Sequence, residues 1–394
     1  MELISGKYKK TDLGLIPEDW NIKTISEISN PVRGGSPRPA GDPKYFNGNF
    51  IPWLTVAALT NIPLSEIYVS ETATRLTEEG SHHSRILEKE TLIIANSGAT
   101  LGVAKLLAIK CCANDGIAAL FDFDKETSKL YLAYFINTQI KYLREVVATG
   151  NGQPNLNTGL IGSIKVPFPP TLEEQTAIAK ALSDTDSLIK GLEKIIAKKR
   201  NIKRGAMQKL LQPKEGWIVK KLGDIANLKK GEQLNRSELS ENDLYPVING
   251  GIYPSGYTNV WNQEQETIVI SEGGNSCGFV NFIKTKFWQG GHCYSIEPKI
   301  NKEFLYHLLK SNENEIMALR VGSGLPNIQK YRLIDFEVSI PKNENEQIEI
   351  SNTLTDIDNE INSLVIKLDK YKKLKLGMMQ NLLTGKIRLV KWIN

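Results

Sequence analysis

Apolar and polar positions follow two different periods along this chain. Short apolar runs between Gly, Asn and Ser turns predict strands at Thr91–Ala95, Ile117–Phe121, Thr267–Ile270 and Asp335–Ile340. Longer mixed stretches, Tyr131–Val147 and Phe304–Leu319, predict helices. After Pro167, Pro169 and Pro170 the period changes. Ile178, Leu182, Thr185, Ile189, Leu192 and Ile196 are spaced by four and three in turn, a heptad seam that needs a helical partner. Thr171 and Glu174 have capping-box spacing, so the helix is expected from Thr171 to Leu211. About 40 residues at ~1.5 Å each make a rod of ~60 Å, a spacer rather than a core helix.

The pattern occurs twice. Gly150-Asn-Gly-Gln-Pro-Asn-Leu-Asn157 returns as Gly322-Ser-Gly-Leu-Pro-Asn-Ile-Gln329, 172 residues on. The same offset carries Glu174-Gln175 to Glu346-Gln347 and Asp184 and Asp186 to Asp356 and Asp358. It places Ile350, Leu354, Ile361, Leu364 and Leu368 on Ile178, Leu182, Ile189, Leu192 and Ile196. A second long helix is therefore expected from Asn343 to Leu383, with Gly385 as its stop. The globular stretches repeat more loosely: Trp20…Ile28 resembles Trp217…Ile225, and Thr91…Gly98 resembles Thr267…Gly274. Helices in strict register beside drifting globular parts suggest one frame carrying two separate readers. Each globular part is expected to be α+β.

Composition narrows the class. With 394 residues, 41% hydrophobic and 24% charged, the chain is expected to fold into two or three globular domains. No run of ~20 apolar residues is present, and MELISGKYKKTDLG lacks the apolar stretch of a signal peptide, so no membrane and the cytoplasm are expected. Cys111, Cys112, Cys277 and Cys293 form no CxxC pair and are expected as buried thiols. His82, His83, His292 and His307 make no ligand set, so no metal is expected. A net charge of +5 permits nucleic-acid binding without establishing it.

Enzyme signatures are missing. There is no GxxxxGK[ST], no GxSxG elbow, and no Asn/Asp-Pro-Pro-aromatic tetrapeptide to hold a target amine. The GxG of each repeated loop does not sit inside a βαβ unit, so a docking loop is preferred over a nucleotide site. Asp122, Asp124 and Glu126 are expected in a solvated turn rather than a nuclease carboxylate cluster. The run Lys198–Arg204 is preferred as a solvated helix face or a seat for an acidic partner over a phosphate contact, because the seam position Lys199 is matched by Tyr371.

Taken together, several features resemble the DNA-specificity subunit of type I restriction–modification systems. They are Tyr8-Lys-Lys-Thr with Gly14-Leu-Ile-Pro17-Glu-Asp-Trp20, the two GxGxPN loops before prolines, Glu-Gln leading each long helix, and Gly377-Met-Met-Gln-Asn-Leu-Leu-Thr-Gly-Lys386. The first helix departs from that ending with Leu211-Gln-Pro-Lys. The resemblance implies an α+β chain with two tandem target recognition domains, each followed by a long helix. The helices would pair as an antiparallel coiled coil with pseudo-two-fold symmetry. Expected boundaries are 1–170, 171–212, 213–342 and 343–384, with a tail at 385–394. It implies a non-catalytic protein without cofactor that reads a bipartite asymmetric site in double-stranded DNA. Its expected partners are two adenine methyltransferase subunits, which use S-adenosylmethionine, and restriction–translocase subunits. A homodimer of the isolated chain is left open.

Residue chemistry then suggests DNA-contacting loops: Arg33, Arg38, Lys44, Tyr45, Arg75, Arg85 and Asn96 in the first reader, and Lys229, Lys230, Arg236, Asn249, Tyr257, Lys284 and Lys286 in the second. Arg and Lys favour guanine or phosphate, and Asn favours adenine. Two rival readings are a stand-alone methyltransferase or nuclease, and an assembly protein whose helices merely dimerise.

Overall fold

A computed structural model describes residues 7–148, 154–322, 324 and 326–389. The chain divides into two compact units, Met1–Glu193 with Lys367–Asn394, and Lys194–Ile366.

The first unit is built on two sheets. One has the order Asn30–Arg33, Ile117–Phe121, Leu92–Ala95, Ala104–Leu107, Tyr68–Val69. The other runs Thr74–Leu76, Phe46–Leu54, Cys111–Ala113, Arg85–Leu87. Leu92–Ala95 is buried on both faces, which is why it reads as a continuous apolar run. Leu92 and Ile94 enter the core that holds the helix Lys129–Thr138, while Ile93 and Ala95 enter a second core with Leu54 and Leu87. The second unit repeats this plan with fewer strands. Ala226–Lys230, Cys293–Pro298, Thr267–Ser271 and Val280–Ile283 form one sheet, and Tyr257–Thr258, Tyr245–Ile248 and Trp288–Gln289 the other. Ile268 and Ile270 face the core that holds Phe304 and Leu308; Val269 faces Ile248, Phe287 and Cys293.

The two mid-length helices are shorter than the hydrophobic pattern predicts. The first stops at Thr138 and continues as a short turn and a wider π-type turn over Leu143–Val147. The second stops at Ser311, where the Leu308 carbonyl accepts both the Asn312 N–H at 3.1 Å and the Asn312 side chain at 2.7 Å, and a short helix, Glu313–Ala318, follows.

The long helices run Leu172–Leu210 and Glu344–Leu382. The first start is only half of a capping box. Thr171 Oγ1 accepts the Glu174 N–H at 3.2 Å, but the Glu174 carboxylate is taken by Arg388 at 2.5 and 2.8 Å. Gln175, fully buried, accepts the Ser128 N–H at 2.9 Å and donates to the Glu126 and Pro169 carbonyls, so it ties the helix to the globular part. Gly385 has φ +70° just past the second helix, as a stop there requires.

In each unit the two helices lie antiparallel. Within the first, Asp186 meets Lys375 and Glu193 meets Lys372, so partners descend as the helix ascends. Within the second, Lys199 meets Glu360 and Lys203 meets Asp358. Seam positions Ile178, Leu182, Ile189, Leu192, Ile196, Ile350 and Leu354 are buried, and Ile361, Leu364 and Leu368 half-buried. The run Lys198–Arg204 therefore gives Lys199 and Lys203 to ion pairs, with Lys198, Arg200 and Arg204 exposed.

Candidate nucleic-acid interface

Both globular units hang their loops on the same backbone frame. In the first, Gly34 N–H donates to Ile117, Asn96 N–H to Gly116, Asn114 N–H to Leu54 and Leu156 N–H to Asn96, all at 2.8–3.0 Å. In the second, Gly231 donates to Cys293, Glu272 to His292, Gly290 to Ile248 and Ile328 to Glu272, at 2.8–3.2 Å. Arg33 thus corresponds to Lys230, Asn96 to Glu272, and Asp115 to Gly291. The frame is held; the side chains it presents are different.

In the first unit Arg33, Arg38, Arg85 and Asn96 come together around Asp115. Arg33 Nε donates to the Asp115 carbonyl at 2.6 Å, and Arg38 lies 3.6 Å from its carboxylate. Arg85 Nε donates to the Arg33 carbonyl at 2.9 Å. Lys44 and Tyr45 form a neighbouring group: the Lys44 ammonium lies over the Tyr45 ring and 3.7 Å from Glu79, and the Tyr45 ring packs tilted against His83. Arg75 is turned back, donating to the Asn49 and Phe50 carbonyls at 3.0 Å. Asn96 is a correction to the expected DNA-facing set. It is 2% exposed, because it closes a strand buried on both faces, and its amide donates to the Asp115 carbonyl at 3.2 Å.

In the second unit Lys229 and Lys230 leave the end of one strand, paired with Glu297 and Glu272. Arg236 and Asn249 line a cavity of about 310 Å³ together with Gln233 and Ser255. Asn249 Oδ1 accepts the His292 N–H at 3.2 Å. Tyr257 sits on a short strand, and Lys284 follows one, exposed. Lys286 lies 3.7 Å over the Trp261 ring and near Glu264. Of the repeated GxGxPN loops, residues 149–153, 323 and 325 lie outside the described residues. Their ends are placed: Asn155 bridges Ser97, and Asn327 bridges Gly273.

Asp115 and Glu272 were missed from sequence because a search for DNA contacts looks for cations and amides. Among the described residues no group of His, Cys, Asp and Glu is placed to hold a metal. All four cysteines are free and buried, and burial pushes the Cys111 and Cys293 thiols up to about 12. Reactive thiolates are therefore not part of this interface.

The family model for the type I restriction modification DNA specificity domain matches residues 17–200 and 214–369. The chain belongs to this family. It is a non-catalytic DNA-recognition subunit. The MjaVIII specificity subunit of Methanocaldococcus jannaschii is 26% identical, over 95% of this chain and 94% of that protein. The MjaIX specificity subunit of the same organism is 28% identical, over 82% and 83%. The fold is shared with the crystal structure of a type I S subunit from M. genitalium, with TM-score 0.69, 19% identity, and coverage of 92% and 96%. It is also shared with the HsdS subunit of Thermoanaerobacter tengcongensis, with TM-score 0.50 and 14% identity over 96% and 100% of the two chains. No helix among the described residues is long and apolar enough to cross a membrane.

Proposed function

We propose that this specificity subunit reads a bipartite, asymmetric site in double-stranded DNA, one half-site per globular unit. The observation that carries this reading is the shared hydrogen-bond frame, which presents an exposed Arg33 in one unit and an exposed Lys230 in the other, with different side chains behind them: Asn96 and Asp115 against Glu272 and Gly291. Identical frames dock alike, and different donor and acceptor sets prefer different base edges in the major groove. The exposed cations Arg33, Arg38, Lys44, Arg85, Lys229, Lys230, Arg236 and Lys284, with the half-buried Lys286, supply contacts to phosphate or guanine. The proposed domain limits are those at 1–170, 171–212, 213–342 and 343–384.

The long helices serve as the ruler between half-sites, and their exposed faces seat two adenine methyltransferase subunits and the restriction–translocase subunits in the cytoplasm. A solved relative at TM-score 0.52 bears on complex assembly of a type I restriction–modification system, in line with such partners. The test is an exchange of residues 20–150 for the same part of another family member, followed by methylome sequencing. One half of the methylated motif changes and the other half and the spacer stay. Inserting one heptad into each long helix adds ~10 Å and lengthens the spacer by about three base pairs. A change in half-site sequence on lengthening the helices overturns the ruler.

A further inference from the structure

Each reader carries a carboxylate where contact with phosphates would disfavour one. Asp115 lies in the turn between Cys111–Ala113 and Ile117–Phe121, anchored from behind by Ser36. The Ser36 hydroxyl donates to Asp115 Oδ1 at 2.8 Å and accepts the Asp115 N–H at 3.3 Å. The other carboxylate oxygen faces Arg38 at 3.6 Å and Arg33 at 4.0 Å. The Asp115 carbonyl receives Arg33 Nε at 2.6 Å and the Asn96 amide at 3.2 Å. A Cβ on Gly34 would lie 2.3 Å from the Asn114 carbonyl, so this turn is pressed against the backbone that carries Arg33.

The second reader reaches the same arrangement by another route. Position 291 is glycine, and the carboxylate comes from Glu272, at the place of Asn96. Glu272 Oε1 accepts both the Tyr294 hydroxyl at 2.9 Å and the Lys230 ammonium at 2.7 Å. Its side chain is 13% exposed while that of Lys230 is 53% exposed. In both readers an anchored carboxylate faces the cation at the end of the same strand.

Stability does not account for the Asp115 pairs, since exposed ion pairs contribute little, and the Glu272 pair leaves its Lys230 end in solvent. Affinity for DNA does not either, since a carboxylate repels phosphate. Orientation does. A guanidinium is planar by itself; holding it along one edge fixes where that plane points, as the O6 and N7 acceptors of guanine require, and holding an ammonium fixes where its charge sits.

We propose that Asp115 and Glu272 are positioning residues for sequence specificity: Asp115 aims Arg33 and Arg38, and Glu272 aims Lys230, each at guanine edges in its own half-site. This rests on the two-reader function proposed above. The carboxylates touch no base; they decide which base the cations accept.

The test uses the full chain assembled with its methyltransferase subunits, on DNA libraries randomised in one half-site at a time. Asp115→Asn relaxes base preference roughly tenfold at one or two positions of one half-site and leaves the other intact. Glu272→Gln does the same in the other half-site. Ser36→Ala removes the anchor without changing charge and relaxes the same positions as Asp115→Asn; it also serves if Asp115→Asn fails to fold. Two results overturn the proposal. One is tighter binding of Asp115→Asn to all sequences alike, with a salt slope steeper by about one, which makes the carboxylate a phosphate repeller. The other is an unchanged preference profile in all three folded variants. A wild-type complex with no bipartite preference overturns the two-reader function, and this inference with it.

Discussion

The Asp186 carboxylate accepts the Lys375 ammonium at 2.6 Å, joining the first long helix to the end of the second. The Tyr134 hydroxyl donates to the other carboxylate oxygen at 2.8 Å. The pair is repeated in the second unit as Asp358 with Lys203, also at 2.6 Å. Burial differs: the Asp186 and Lys375 side chains are 9% and 13% exposed, those of Asp358 and Lys203 30% and 17%. Removing one partner of a buried pair strands a charge. Asp186→Ala is therefore expected to lower stability by about 3 kcal/mol, and Asp358→Ala by roughly 1 kcal/mol. Urea unfolding of the two variants gives the order directly.

Arg388 clasps the first unit. It donates to Asp19 at 2.9 Å twice and to Glu174 at 2.5 and 2.8 Å, over the Trp20 ring. Glu174 is 1% exposed, so Arg388→Ala leaves a buried carboxylate unpaired and is expected to cost about 3 kcal/mol. The double variant Arg388→Met, Glu174→Leu recovers most of that loss, because no charge is left to strand. A double variant as unstable as the single one would mean that the clasp acts by shape rather than charge.

Gly385 is constrained twice. Its φ of +70° disfavours a side chain, and a Cβ there would lie 2.5 Å from Pro17 and 3.2 Å from Trp20. Gly385→Ala is expected to destabilise the first unit by about 2 kcal/mol or more. Thermal melting compares it with Gly377→Ala, at a helical position where a Cβ meets nothing within 4 Å and a small gain is expected.

His307 is 1% exposed, with Nε2 3.1 Å from the Thr355 hydroxyl. Burial, aided by the Lys203 charge, lowers its pKa from 6.5 to about 4. The folded state therefore holds the ring neutral while the unfolded chain protonates it. Its contribution is complete above pH 6.5 and is lost as the pH falls toward 4, up to roughly 3 kcal/mol. The same titration of His307→Gln should lack this fall between pH 6.5 and 4. An equal slope in both proteins would assign the pH dependence to other groups.

The sequence by itself determined the long helices and their repetition. A heptad seam needs only the order of residues, and an offset of 172 that aligns Ile178 with Ile350 and Asp186 with Asp358 is a fact of the string. The strand at Leu92–Ala95 was legible for the same reason, since burial on both faces writes itself as a continuous apolar run. What the tertiary structure decided was which polar groups meet. Glu174 has the spacing of a cap, yet a tail residue 214 positions away claims it. Asn96 has the chemistry of a base contact, yet closing a doubly covered strand buries it. The two carboxylates that pair with the exposed cations Arg38 and Lys230 come from positions that do not correspond, Asp115 and Glu272. Periodicity is local and survives in one dimension. The pairing of a charge with its partner depends on loops brought together by folding, and no spacing along the chain records it.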